Sequence, residues 1–203
     1  EKYKLPIPTR FFSAHFVFTY GKFIEECPYD PNLYFHGEEI SLAVRAYTHG
    51  YDLFTPNRIV AWHEYTRKGR IRHWDENKKW EELNVKSLKR VKNLLDVDGS
   101  YDGTDFGKYG FGNERMKSEY EAFAGIRFSD RAVQRYTKLN FEAPNPQYRT
   151  EEARNKSWRP VFKHCIDLHK SSLPENDYDF IVIALFDKFN NEIYRKDLHK
   201  DDI

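Results

Sequence analysis

The sequence predicts an α/β protein, and three observations carry that reading. Segments in which apolar residues alternate trade places with segments in which they recur at helical spacing. The 203 residues include 16 Phe, 14 Tyr and 4 Trp, enough large side chains to build a core and to exclude wholesale disorder. Beyond the middle of the chain the helical pattern gives way to strand patterns, which points to a small β-rich C-terminal part.

In chain order, the Pro-punctuated entry Leu5-Pro6-Ile7-Pro8 leads to a predicted strand in which Phe12, Ala14, Phe16 and Phe18 alternate with Ser13, His15 and Val17. Cys27 to Asn32 is turn chemistry, with Pro28 and Pro31 fixing φ. After Gly37-Glu38-Glu39, Ile40, Ala43, Val44 and Tyr47 form a helical stripe that Gly50 closes. Tyr51 to Phe54 and Arg58 to Trp62 read as short strands divided by Thr55-Pro56-Asn57. A long amphipathic helix runs from Glu76 to Leu95, then a loop rich in glycine and aromatics from Gly99 to Gly112. Glu114 to Ala124 is a helix stopped by Gly125, and Ser129-Asp130 starts another that reaches Leu139. Pro144, Pro146 and the polar run through Ser157 read as a linker between domains at 1–145 and 146–203. Val161 to Leu168, Tyr178 to Asp187 and Glu192 to Leu198 then read as strands, the second continuously buried and turning at Asn190-Asn191 into the third.

Composition excludes several function classes. Lys and Arg number 33 against 32 Asp and Glu, so the net charge of +1 argues against a nucleic-acid-coating protein. The apolar run Phe180 to Phe186 is far short of the ~20 residues of a membrane span. Cys27 and Cys165 make neither a zinc motif nor a disulfide framework; a reducing, cytoplasmic compartment is expected, with one long-range bridge as the alternative. The chain starts at Glu1 and its one methionine is Met116, so a fragment of a longer protein is expected.

Chemistry-bearing residues concentrate between Tyr34 and Trp74. Gly37 precedes a helix, where a missing side chain lets a ligand approach the backbone. Glu38 and Glu39 either serve the helix N-terminus as favourable charge or place one carboxylate in a cleft as a base or hydroxyl acceptor. His63 follows a predicted strand, where ligands gather in open α/β sheets; it is either a structural imidazole or a metal ligand. Arg67, Lys68 and Arg70 surround Gly69, and the loop reads as a solvated surface, a diphosphate contact or, least well, a nucleic-acid patch. Asp96-Val97-Asp98 reads as a helix-ending turn, and Asp177-Tyr178-Asp179 as strand-edge charge, although such pairs hold Mg²⁺ or Mn²⁺ in many enzymes. Asn155-Lys156-Ser157 has the form of a glycosylation sequon and carries little weight without a signal peptide. No nucleophile motif is present.

Arg10 to Phe18, Pro28-Tyr29-Asp30-Pro31, Phe35 to Glu39 and Ala61 to Tyr65, in that order, resemble the C-terminal half of the catalytic domain of N-acetylglucosaminyltransferases of the Skp1-hydroxyproline type. More distantly they are similar to the polypeptide N-acetylgalactosaminyltransferases. The resemblance implies a GT-A, Rossmann-like catalytic half followed by a small β-rich domain. It implies a retaining glycosyltransferase that uses a UDP-sugar donor, Mn²⁺ or Mg²⁺, and a hydroxyl acceptor on a protein or glycan. By resemblance, His63 is the metal ligand, Glu38 contacts the donor sugar or the acceptor hydroxyl, and Glu39 is its neighbouring acid. Arg67, Lys68 and Arg70 are assigned to the diphosphate from charge. The family's nucleotide-binding half and D-x-D motif would precede Glu1, so the isolated chain is expected to be inactive. The competing expectation is a non-catalytic carbohydrate- or protein-binding module.

Overall fold

A computed structural model describes residues 4–64, 69, 71, 73–161, 180–186, 190 and 192–199. The chain divides into two units, Glu1–Phe162 and Lys163–Ile203. The described residues mix helices with three small antiparallel sheets, consistent with the α/β class.

The first unit begins with β1 (Ile7–Pro8) and α1 (Lys22–Glu26), followed by α2 (Glu38–Thr48) and β2 (Phe54–Thr55), which pairs with β1. Helix α2 lies in the core and is apolar on two sides. Ala43 and Val44 pack with Leu33, Val91, Leu95, Tyr120, Ala124 and Phe128. Leu42 and Ala46 pack with Phe23 and Cys27. A helix covered on both sides needs apolar residues beyond a single stripe, and the run Leu42 to Ala46 supplies them, interrupted only by Arg45. Arg45 is 1% exposed; its guanidinium donates to the carbonyls of Gly110 and Lys108 at 3.2 and 3.1 Å, and burial lowers its pKa. Gly50, at φ +89°, closes the helix as the sequence predicts, its N–H donating to Tyr47 O at 3.0 Å.

A single turn, α3 (His73–Glu76), precedes α4 (Trp80–Leu95), so the expected long helix starts later than Glu76. Val91, Leu94 and Leu95 are its buried face. Asp96 and Asp98 both hold positive φ (57° and 58°), which is the expected helix-ending turn. Their carboxylates have structural partners: Asp96 accepts the Tyr101 N–H at 3.1 Å, and Asp98 pairs with Arg131 at 2.5 Å.

Helix α5 (Lys117–Ala124) ends at Gly125 as expected. The helix expected from Ser129 to Leu139 is replaced by a hairpin, β3 (Ile126–Arg127) with β4 (Ala132–Gln134), and the short α6 (Arg135–Lys138). Long-range pairing decides this: β4 bonds β3 on one edge and β5 (Trp158–Pro160) on the other. Within the stretch expected as a linker, Asn145 is buried and α7 (Glu151–Ser157) forms, capped by Thr150 Oγ1 accepting from Ala153 N at 3.2 Å.

Two predicted strands are absent. Residues 12–18 have no strand, and Phe18 is 94% exposed; residues 58–62 have none, and Trp62 is 85% exposed. Alternation becomes a strand only when a neighbour accepts its backbone hydrogen bonds, and the described residues offer neither segment one.

In the second unit β6 (Phe180–Phe186) pairs with β7 (Glu192–His199), Phe180 opposite His199 and Phe186 opposite Glu192, with Asn190 at φ 65° in the turn. This is the expected hairpin. Val182, Leu185 and Phe186 are exposed, however, rather than continuously buried. Residues 162–168, most of the other expected C-terminal strand, lie outside the described residues. Among the described residues no helix is long and apolar enough to cross a membrane.

Candidate functional site

The start of α2 organises the site. Gly37 precedes it at φ +96°, and a Cβ there would meet Val91 Cγ2 at 2.6 Å. The space beside Gly37 is therefore taken by α4, which corrects the expectation that a ligand approaches the backbone there. Packing, together with left-handed backbone, accounts for this glycine.

Glu38 is half-buried and Glu39 exposed. Glu39 Oε1 accepts the Ala14 N–H at 3.0 Å. One residue on, the His15 ring meets His63 edge to face, with centroids 5.3 Å apart, and the Ser13 hydroxyl lies 3.0 Å from His15 Nδ1. Segment 13–15 thus connects Glu39 at the helix start to His63, far along the chain. Burial raises the Glu38 pKa, with Glu39 adding to the shift; a backbone hydrogen bond and His36 oppose it. The Tyr29 phenol is pushed up to about 12, first by burial and then by Glu38 and Glu39. The neighbourhood combines a carboxyl whose pKa burial raises, a second carboxylate, imidazoles and a phenol that stays protonated at neutral pH. Such a set can hydrogen-bond hydroxyl groups and take up a proton.

The structure brings Glu39 and His63 together through Ala14 and His15, and sets Glu38 beside Glu39. His63 does not follow a strand; it lies in exposed irregular chain. Arg67, Lys68 and Arg70 lie outside the described residues, as do Asp177 and Asp179. His36 also lines a cavity of about 230 Å³ with Tyr34, Phe35, His73, Trp80 and Asn84, where the Tyr34 hydroxyl is 2.8 Å from His73 Nδ1. Sequence reasoning missed Ser13, His15, Tyr29 and His36. His15 was absorbed into a strand pattern, and no local spacing pairs residue 15 with residue 63.

Among the described residues no three His, Cys, Asp or Glu side chains converge on a metal-sized site. His15 Nδ1 lies 3.0 Å from the Ser13 hydroxyl, and Glu39 is engaged with Ala14. These residues alone do not fit a complete shell for Mn²⁺ or Mg²⁺.

No curated protein and no solved structure gives a significant match to the chain. A family model described as Glycosyltransferase (GlcNAc) matches residues 1–130, which takes in the helix start, segment 13–15 and His63. That match spans well over half of the 203 residues, and the chain belongs to this GlcNAc glycosyltransferase family.

Proposed function

We propose that the chain forms the acceptor-side part of a GT-A catalytic domain of the Skp1-hydroxyproline N-acetylglucosaminyltransferase type. The full-length protein, rather than the isolated chain, would transfer GlcNAc, with retention, from a UDP-sugar to a hydroxyl of a protein or glycan. The observation that carries the reading is the chain of contacts from Glu39 through Ala14 and His15 to His63, beside the half-buried Glu38. In this reading Glu38 accepts a hydrogen bond from a sugar or acceptor hydroxyl, and its raised pKa suits it to hold a proton as the new bond forms. Glu39 fixes segment 13–15 through the Ala14 N–H and so sets His15 against His63. The Tyr29 phenol donates to substrate oxygen. Arg67, Lys68 and Arg70 contact the diphosphate, an assignment that rests on their charge. His63 would be a protein ligand of a divalent ion, which would supply Lewis-acid stabilisation of negative charge, an assignment that rests on the resemblance. The roles of the carboxylates do not depend on that ion.

The test is UDP-GlcNAc turnover by the full-length protein with Mn²⁺, comparing wild type with Glu38→Gln and His63→Ala. Each variant should lose about 100-fold or more in kcat. Wild-type rates in both variants of an active parent would place the chemistry elsewhere.

A further inference from the structure

A second concave site lies at the other end of α2. Tyr47, nine residues after Glu38, is about 13 Å along the helix at 1.5 Å per residue. It borders a cavity of about 660 Å³, within the ~300–1,000 Å³ range of small-molecule sites. The walls come from α5, the β3–β4 hairpin, the 144–148 segment and the end of α7. Four aromatic rings line it: Tyr47, Phe123, Tyr148 and Trp158. Three of them are already engaged. Tyr47 stacks on Phe123 with centroids 5.4 Å apart, and the Arg127 guanidinium sits 4.3 Å over Trp158. Tyr148 has no ring contact, hydrogen bond or ion pair among the described residues.

The polar lining contains a group left unpaired. Gln134 is 4% exposed, and its carbonyl accepts Asn145 Nδ2 at 2.5 Å, yet its own amide nitrogen has no side-chain partner among the described residues. Arg127 Nε is buried and also without a hydrogen bond among them. A buried donor left unpaired, as Arg127 Nε is, costs about 1–3 kcal/mol, and the Gln134 amide nitrogen adds a donor without a side-chain partner, so the arrangement favours a ligand rich in acceptor oxygens. Charge on the walls is balanced, Glu119 and Glu121 against Arg127 and Arg154. Both carboxylates already accept backbone N–H groups, Glu119 from Met116 at 2.6 Å and Glu121 from Phe128 at 3.0 Å. Aromatic faces, amide donors and no net charge match one ligand chemistry. A pyranose ring has apolar C–H faces to stack on aromatics and an equatorial rim of hydroxyls to accept from amide and guanidinium N–H groups.

We infer that the cavity formed by Tyr47, Phe123, Gln134, Tyr148 and Trp158 is a saccharide-binding site for a neutral pyranose unit, separate from the Glu38–His63 edge. It does not rest on the proposed catalytic roles. A proline-rich peptide is the other occupant that stacked aromatics accept, but it lacks the rim of hydroxyls that pairs with donors and acceptors on the same wall, and its binding is an outcome of the test.

Binding of N,N′-diacetylchitobiose and of maltotriose to the full-length protein tests this, read by the indole resonances and by titration calorimetry. At least one saccharide should bind with a Kd of about 1 mM or tighter and shift the Trp158 indole. Tyr148→Ala, with an unchanged melting temperature, should weaken it at least about fivefold, whereas Glu39→Gln and His63→Ala should bind it as wild type does. The proposal is overturned if neither sugar shifts the Trp158 indole at about 20 mM, or if Tyr148→Ala leaves the affinity unchanged. Loss of binding in Glu39→Gln or His63→Ala would move the sugar to the other edge and overturn it too. A polyproline peptide that shifts Trp158 where the sugars do not would have the same force.

Discussion

At the Glu38 carboxyl two effects oppose each other. A helix N-terminus favours the ionised form, and removal from water favours the neutral one. The pKa is raised above its ordinary 4.5, so burial wins, with Glu39 reinforcing it. A raised acid pKa means that the folded state binds the proton more tightly than the unfolded chain. The resulting stability is full below the ordinary glutamate range and is lost as pH rises through the folded value. Glu38→Gln cannot ionise and escapes that loss. Its urea midpoint should therefore improve relative to wild type as pH rises from about 4 to about 7. A constant difference across that window would show that burial does not perturb the carboxyl. Tyr29 responds to the same surroundings, and its phenol remains a donor throughout that window.

The position of helix α2 is set by contacts along its whole length, and its start is the tightest point. Gly37 combines positive φ with the Val91 methyl 2.6 Å from where a Cβ would stand. Gly37→Ala should cost about 1–3 kcal/mol, from overpacking and from backbone strain. Val91→Ala removes the first cause and leaves the second. A double-mutant cycle in urea should then find Val91→Ala less costly in the Gly37→Ala background than in wild type. Strict additivity would mean that helix α4 does not press on the helix start. The same helix start holds Glu38 and Glu39, so a shift of α2 against α4 would also move both carboxylates.

Across the first unit, one buried arginine joins the beginning of the chain to its later segments. Arg10 Nε donates to Ala124 O at 3.0 Å, Nη1 to Phe141 O at 2.5 Å, and Nη2 to Glu142 O at 3.2 Å and to Asn145 Oδ1 at 2.6 Å. The Tyr120 hydroxyl donates back to Arg10 O at 2.7 Å. Thr137 Oγ1 and Asn145 extend the network to Ala124 and Gln134. Gly125 must lack a side chain, because a Cβ there would lie 2.1 Å from Asn145 Nδ2. Arg10→Met keeps most of the stem but removes the arginine's hydrogen bonds to three carbonyls, of which Ala124 O keeps Thr137 Oγ1, so the unit should lose about 2–4 kcal/mol. Hydrogen exchange should quicken at the amides of Phe123–Asn145 more than at α1. Equal protection in variant and wild type would show that the arginine is not what secures these segments.

Much of the secondary structure was legible because its signals are local. The stripe at Ile40, Ala43, Val44 and Tyr47, the stops at Gly50 and Gly125, and the β6–β7 hairpin each depend on residues within a few positions of one another. The alternation of Phe12 to Phe18 and the apolar run before His63 carried the same kind of signal without becoming strands, because a strand also needs a partner that local pattern cannot supply. Of the site, Glu38, Glu39 and His63 were legible as chemistry-bearing residue types, whereas His15 and Tyr29 were not. By itself the sequence determined helix stripes, chain-reversing glycines, charge balance and the stock of reactive side chains, all properties of neighbouring residues. Only the tertiary structure decided that Val91 fills the space at Gly37, that Ala14 and His15 join Glu39 to His63, and that four distant aromatics share a cavity. Each of those depends on contacts between segments tens of residues apart, whose closeness is settled by packing of the whole unit rather than by any local preference.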